Sequence, residues 1–384
     1  MADPWKERSQ ILSPPLRANN ASYLSTIPPR LSKYARLADD ATIQFHLDTV
    51  GVDNIGIVDG NLTPCGNLAA MMYPDALPDR LGVVAYMLEA AFFWDDLNCP
   101  EPDESTVKDS VSNSRREAHM KGPVWKEKMK QAFSKAVKGF ITVDPVMGSD
   151  VLRTWNTWRA AEMDIHGRFD QYSTLDEYVE DRIHDLAYPC AMEFGKFASN
   201  LKLTFDEEES VQHGIWPLKP HGVYCNDYHS WDKELKAHED SDGKIPIINA
   251  VVILQRLHGL SVDEAKVYLK NKCFELDREY HRRKEKFITT TEDGISPSVL
   301  RLLDHCEQTT TGHTMWVMQS YRHKAPGGDG YREYYASRLR EGADFSNGAK
   351  AKDTKTVQEA QYCELTMRVG DGIDNIQRDD DCAA

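Results

Sequence analysis

The stretch from Asn226 to Glu234, NDYHSWDKE, carries an amide, a hydroxyl and a carboxylate at Asn226, Ser230 and Glu234, each four residues after the last. Residues i, i+4 and i+8 stand above one another on a helix, so the pattern forms one row of oxygen ligands only if the segment is helical. The row holds a single formal negative charge. That suits a hard divalent cation which keeps waters and completes its shell with phosphate oxygens. Lys233 stands beside the last ligand, so an anion-binding group adjoins the cation-binding row. An ordinary polar helix face would carry the same residue types, and the reading therefore depends on what accompanies them.

Three further segments accompany them. Leu81 to Trp94, LGVVAYMLEAAFFW, is an apolar run of helical length that ends abruptly in Asp95 and Asp96. Adjacent carboxylates repel unless a cation or water answers them, although a solvated pair at a helix end also would do so. Phe92 precedes these acids by three and four residues, which places its ring on their face, one turn deeper, as a neighbour for a substrate cation. The segment FDQYSTLDEYVEDRIHDLAYP, Phe169 to Pro189, reads as a capped amphipathic helix with Ser173 or Thr174 as N-cap. Arg182 lies late in it and Asp185 three residues on, a spacing that lets the acid orient the guanidinium towards an anion or form a plain surface salt bridge. In GHTMWVMQSYRHK, Gly312 to Lys324, Trp316 is followed by Arg322, His323 and Lys324. Basic residues at a helix C-terminus complement its dipole in any protein, so this segment also has a plain structural reading.

In this order the four segments resemble the class I terpene synthases, most closely the cyclase domain of fungal chimeric (bifunctional) terpene synthases, over most of residues 50 to 325. Asp95 and Asp96 match the leading acids of the aspartate-rich motif, and Arg182 the diphosphate sensor, with Asp185 and Leu186 at the linker and effector positions. Asn226, Ser230 and Glu234 match the NSE triad, Lys233 the lysine of its KE pair, and Arg322 the arginine of the terminal RY pair. GNLAAMMYPDALPDRL, Gly66 to Leu81, is similar to the sequence that precedes the aspartate-rich helix in these cyclases. Two positions depart from the pattern. Cys99 stands where a third acid is common, leaving Asp95, Asp96 and waters, with Glu101 or Asp103 in reach only if the turn folds back. The terminal pair reads Arg322–His323, and a histidine donates to diphosphate more weakly and with pH dependence.

The resemblance implies an all-α fold, the class I terpenoid synthase α-domain, a helical bundle around a central apolar cavity. It implies magnesium, three ions, held by Asp95, Asp96, Asn226, Ser230 and Glu234. Arg182, Asn226, Lys233, Arg322 and His323 would bind the substrate diphosphate, and Arg182, Asp185, Leu186, Lys233 and Arg322 would act in its ionisation. Phe92 and Trp316 would face the carbocation, or simply pack the core. The implied substrate is a long linear polyprenyl diphosphate, geranylgeranyl first, then geranylfarnesyl or hexaprenyl, cyclised to a di-, sester- or triterpene. Two alternatives stand beside this. A chain-elongating prenyltransferase would carry two aspartate-rich motifs in place of the triad. A non-catalytic helical binding protein would account for Cys99 and His323 as decay of a metal motif.

Composition agrees with this picture. A chain of 384 residues with 41% hydrophobic residues can bury a substantial core. Its net charge of −15 disfavours nucleic acid and anionic membranes as partners. An anionic substrate then needs metal ions and a local basic cluster, which Arg182, Lys233 and Arg322 supply. The eight cysteines include no C-x-x-C pair, which points to free thiols in a reducing compartment. MADPWKERSQ at the N-terminus has no apolar signal region and no stretch is long enough to span a bilayer, so the expected location is cytoplasmic. The N-x-[ST] matches at Asn20 and Asn61 are read as chance.

Residues 1–50 are mixed and Pro-rich, ending in a short alternating stretch, and read as an N-terminal strap over the domain. Residues 51–339 read as the cyclase domain. Periodicity predicts helices over 81–96, 124–140, 150–166, 175–187, 193–203, 222–238, 244–257, 262–283, 296–310 and 311–322. Residues 340–384 read as linker or disordered tail, with Gly327 to Gly330 as a turn and no phosphate loop. In the chimeric family this linker leads to a prenyltransferase domain, which this sequence does not contain; it reads as a truncated chimera or a stand-alone cyclase.

Overall fold

The computed structural model describes residues 5–12, 22–56, 58, 60–63, 66–98, 123–166, 168, 171–291, 294–323 and 330–340. Among them are thirteen α-helices: α1 Ala35–Thr49, α2 Leu68–Met72, α3 Pro78–Asn98, α4 Pro123–Val143, α5 Pro145–His166, α6 Leu175–Asp185, α7 Tyr188–Ser199, α8 Phe205–Ile215, α9 Leu218–Asp240, α10 Ala250–His258, α11 Val262–Thr290, α12 Pro297–Gln319 and α13 Gly330–Arg340. Two antiparallel pairs of very short strands complete the set, β1 Ser9–Ile11 with β2 Arg30–Ser32 and β3 Leu62–Thr63 with β4 Gly66–Asn67. The fold is all-α, as the helical periodicity requires.

Side-chain caps explain where the helices begin. Thr174 and Glu177 form a capping box on α6, Thr204 and Glu207 on α8, and Ser261 and Glu264 on α11, each satisfying otherwise orphaned N–H groups. Asn249 caps α10 and Ser296 caps α12, where Pro297 opens the first turn. The break between α6 and α7 has a local cause. Pro189, in the first turn of α7, has no N–H and would disrupt a continuous helix; Ala187 turns the chain with a left-handed φ of 55°. The Asp185 carbonyl freed by the break accepts the indole N–H of Trp158 at 3.4 Å.

One large apolar cluster runs through α1, α3 to α7 and α9 to α12. α9 packs against α6, α11 and α12, α7 against α3 and α12, and Phe92 of α3 stacks on Trp316 of α12. The C-terminal ends of α3, α6 and α12 come together at the middle of α9, around Asn226 and Asp227.

Several elements differ from the sequence reading. The alternating stretch before residue 50 is the helix α1, buried against α3, so the core begins upstream of residue 51. Its buried residues mix Asp39, Thr42, His46 and Thr49 with Ala35, Ala38, Ile43 and Phe45, and the four polar ones interrupt the hydrophobic period. Residues ahead of α1 lie against α9 and α11. The buried Asp277 of α11 accepts from Ser25 Oγ at 2.9 Å and Thr26 N–H at 2.5 Å, and His221 of α9 donates to the Leu24 carbonyl at 2.8 Å. α8 was not expected because only Val211, Gly214 and Ile215 of its residues are buried. The helix expected from 244 starts at Ala250, the one expected over 193–203 spans Tyr188–Ser199, and the two expected over 296–322 are the single helix α12.

Among the described residues, Cys190, Cys225, Cys273 and Cys306 are buried free thiols. Asn61 is buried and donates to the Ala85 carbonyl at 2.8 Å, which leaves no exposed amide at that N-x-[ST] match. No helix among the described residues is long and apolar enough to cross a membrane. The tail 341–384 and the Gly327 to Asp329 turn lie outside the described residues.

Gly312 lets α12 approach α2: a Cβ there would lie 2.3 Å from the Met71 carbonyl oxygen. Alanine would gain up to about 1 kcal/mol of helix propensity, but the backbone contact forces the helices apart, an overpacking that costs about 1–3 kcal/mol or more. Gly312→Ala is therefore expected to lower the urea midpoint, and an unchanged or raised midpoint would contradict this packing.

Candidate active site

At the end of α6, the Arg182 guanidinium pairs with Asp185 one turn on, and its other arm lies 3.5 Å from Asp227 of α9. Asp227 follows the first residue of the NSE row and is fully buried. Its carboxylate accepts the Tyr178 hydroxyl at 2.5 Å, the Ala250 N–H at 2.8 Å and the Asn226 amide at 3.4 Å. One buried acid thus joins α6, α9 and α10. Burial pushes its pKa up, opposed by Arg182 and by these donors, as expected for a carboxylate kept in place by compensation.

The row itself forms as its spacing requires. Ser230 donates to Glu234 Oε1 at 2.5 Å, and the Asn249 amide donates to Ser230 Oγ at 3.2 Å and to the Asp227 carbonyl at 3.0 Å. Glu234 Oε2 is buried with no hydrogen-bond partner. Burial pushes Glu234 up to about 7; the Asp227 charge adds to that, and Arg182 and Lys233 oppose it. A buried carboxylate oxygen without a donor, in line with a hydroxyl and an amide, is a position that a cation completes. The residues present therefore fit a divalent metal ion.

After α12 the chain makes a 3-10 turn, Tyr321–His323, that bridges the two walls. Arg322 pairs with Asp95 of α3 and lies over the Phe92 ring, 5.2 Å from its centroid. His323 is buried, with Nε2 3.3 Å from Asn226 Oδ1. Burial, together with the charges of Lys233 and Arg322, drives its pKa well below the usual value. That shift favours the uncharged ring in the metal-free site. Beneath the turn, Trp316 stacks on Phe92 with centroids 5.3 Å apart and meets the edge of His323 at 5.1 Å.

Asp95, Arg322, His323, Asn226, Asp227, Arg182 and Asp185 thus form one belt of contacts around the meeting helix ends, with Ser230 and Glu234 below Asn226 and Lys233 beside them. Leu186 caps α6, its N–H bonded to the Arg182 carbonyl at 2.9 Å, and packs on the main core. The Asp96 backbone lies in α3; its side chain, like Cys99, Glu101, Asp103 and Lys324, falls outside the described residues. The sequence reading missed Asp227, Tyr178 and Asn249. Asp227 stands next to Asn226 and so off the row's face, while Asn249 was legible only as an N-cap before AVVILQRLH.

A row of mixed oxygen ligands, an arginine held by the buried carboxylates of Asp185 and Asp227, and a second arginine paired with the exposed Asp95 of a facing helix come together in an all-α bundle, an arrangement suited to a divalent cation and an anion. Residues 87–278 match the family described as terpene synthase family 2, C-terminal metal binding. The chain is 34% identical to the terpene cyclase-like protein flvF of Aspergillus flavus, over 84% of this chain and 88% of that one. It belongs to the class I terpene synthases. It is also 28% identical to a cyclopiane-type diterpene synthase of Penicillium chrysogenum, covering 80% of this chain and 40% of that one. With the bifunctional sesterterpene synthase astC of Talaromyces wortmannii it shares 26% identity, over 84% of this chain and 43% of that one. The chain thus spans about two fifths of these two relatives. Aristolochene synthase from Penicillium roqueforti shares the fold, with a TM-score of 0.57 at 16% identity over 76% of this chain and 97% of the other. So does 2-methylisoborneol synthase from Streptomyces coelicolor in complex with Mg2+ and geranyl-S-thiolodiphosphate, with a TM-score of 0.52 at 17% identity over 68% and 85%.

Removing Asp227 leaves Arg182, Tyr178 and the Ala250 N–H without their shared partner, a loss of about 3 kcal/mol or more. Asp227→Ala should show it in urea unfolding; a change under about 1 kcal/mol would mean that these helices do not depend on it. Glu234 has a folded pKa of about 7 against an ordinary 4.5, so the metal-free fold holds its proton more tightly than the unfolded chain does. Stability is then lost as pH rises from about 4.5 to 7. In EDTA, the melting temperature of Glu234→Gln should rise relative to the parent between pH 5 and pH 7.5; parallel curves would refute the shift.

Proposed function

We propose that this terpene cyclase acts with magnesium on a long linear polyprenyl diphosphate, geranylgeranyl diphosphate first, geranylfarnesyl or hexaprenyl diphosphate next, and closes the carbocation into a polycyclic di-, sester- or triterpene. The observation that carries this reading is the belt of contacts from Asp95 through Arg322, His323 and Asn226 to Asp227 and Arg182. It brings cations suited to an anion and oxygens suited to a cation into one continuous line of contacts. The diterpene and sesterterpene synthases among the relatives support the two shorter chain lengths.

Magnesium, three ions in this reading, would supply the Lewis acidity that neutralises the departing diphosphate; Asp95 and Asp96 would hold it from one wall, and Asn226, Ser230 and Glu234 from the other. Arg182, Lys233 and Arg322 donate to the diphosphate oxygens, Asp185 and Asp227 aim Arg182, Leu186 shapes the turn behind it, and His323 donates from its ring N–H. Phe92, over which Arg322 lies in the unliganded protein, would turn its ring to the hydrocarbon when Arg322 engages the diphosphate, with Trp316 stacked on it, and the pair would stabilise positive charge and keep water out. A proton leaves the final cation to the diphosphate already held there. Residues 51–339, with the strap and α1, act as the cyclase unit in a cytoplasmic setting, and a prenyltransferase domain in a full-length protein would supply the substrate.

Purified protein with magnesium and farnesyl, geranylgeranyl, geranylfarnesyl or hexaprenyl diphosphate should yield a cyclic hydrocarbon or alcohol from one of the three longer substrates, read by gas chromatography and mass spectrometry of hexane extracts. EDTA should abolish it, and Asn226→Ala or Glu234→Ala should lower turnover by about 10²–10³-fold or more. Undiminished product in EDTA or in both variants would sink this reading; product from farnesyl diphosphate alone would refute the chain length.

A further inference from the structure

A hydroxyl on a helix commonly turns back on its own backbone, and in this protein Thr49, Thr154, Thr311 and Thr314 each donate to the carbonyl four residues earlier, at distances between 2.7 and 3.1 Å. Ser230 does otherwise. Its hydroxyl donates to Glu234 Oε1, 2.5 Å away, and its oxygen accepts the amide of Asn249 at 3.2 Å. Asn249 lies just ahead of α10, and its amide nitrogen also donates to the Asp227 carbonyl at 3.0 Å and stands 3.5 Å from Glu234 Oε1. The direction of this amide is fixed from its other end. The Val251 N–H, in the first turn of α10, meets Asn249 Oδ1 at 3.0 Å and needs an oxygen there, so the nitrogen faces the row. Asn249 is 1% exposed, which keeps bulk water from competing for these contacts.

A serine hydroxyl has one hydrogen and two lone pairs. With the hydrogen on Glu234 Oε1 and one lone pair taken by Asn249, a single lone pair of Ser230 is left. Glu234 is restricted in the same way: Oε1 is engaged by Ser230, and Oε2 is the oxygen without a partner. The Asn249 contacts use electron pairs other than these two, so they persist when a cation takes the remaining ones. We infer that Asn249 is a positioning residue for the metal row: its amide holds the Ser230 hydroxyl off its own helix and, through that hydroxyl, sets the Glu234 carboxylate so that both turn their remaining lone pairs to one cation. This inference rests on the proposed reading of Asn226, Ser230 and Glu234 as magnesium ligands.

Serine caps a helix about as well as asparagine but has no amide to donate, so Asn249→Ser separates the cap on α10 from the contact with Ser230. The quantity to measure is the magnesium concentration that gives half-maximal binding of inorganic pyrophosphate, followed by calorimetry in the parent, Asn249→Ser, Ser230→Ala and the double variant, with urea unfolding of each in EDTA to show that it is folded. Asn249→Ser is expected to raise that concentration about tenfold or more in the parent, as loss of a group that orients a metal ligand does, and by roughly twofold at most once Ser230 is alanine. A purely structural role would leave the magnesium requirement unchanged, or raise it equally in both backgrounds, whatever the urea midpoint does, and either result overturns the inference. If Ser230→Ala needs no more magnesium than the parent, the ligand role of Ser230 falls and the inference with it; if Ser230→Ala needs more but the two substitutions act independently, only the inference falls. Asn249→Thr, which also caps and also lacks the amide, replaces Asn249→Ser if that variant does not fold.

Discussion

The arrangement depends on a carboxylate that touches no substrate in the proposed reaction. Asp227 is buried on α9, where an ionised acid is tolerated only because Tyr178, Arg182, Asn226 and the Ala250 N–H all converge on it. These partners come from α6, α9 and α10, so satisfying one acid fixes the relative placement of three helices. The same constraint orients two functional groups at once. Arg182 is held between Asp185 and Asp227, and the Asn226 amide nitrogen is turned towards Asp227, which leaves its oxygen facing His323.

The electrostatics follow from that framework. A chain with a net charge of −15 gathers Arg182, Lys233 and Arg322 near one candidate cation row, which holds one formal negative charge. Burial then prevents that row from being fully ionised in the absence of a cation, with Glu234 pushed up to about 7. In the proposed reaction, metal binding at this residue would be linked to proton release. Arg322 occupies Asp95 and covers Phe92, so the protein's own cation stands over the ring that would otherwise face a substrate cation.

Much of this was legible as residue pattern. The Asn226, Ser230 and Glu234 row needs only the helical period, and Thr174 with Glu177 announces α6 by capping chemistry. The apolar run before Asp95 could hardly be anything but a buried helix. Where the signal failed, the cause is physical. α1 buries Asp39 against Arg338 and His46 against Glu89, and partners 299 and 43 residues away in sequence are invisible to any local period. α8 buries too little to show one, although its capping box marked its start.

The fold class, the family and the spacing of Asn226, Ser230 and Glu234 are legible in the order of residues, because helical spacing, capping and short motifs are local properties of the chain. Which groups are paired, and which way their ionisation shifts, follows from packing alone. The lowered pKa of His323, the raised pKa of Glu234, the choice of Asp227 as the shared partner of three helices and the turn of the Asn249 amide towards Ser230 all depend on burial and on contacts between distant segments. Desolvation and charge proximity belong to the packed molecule, and no stretch of sequence carries them alone.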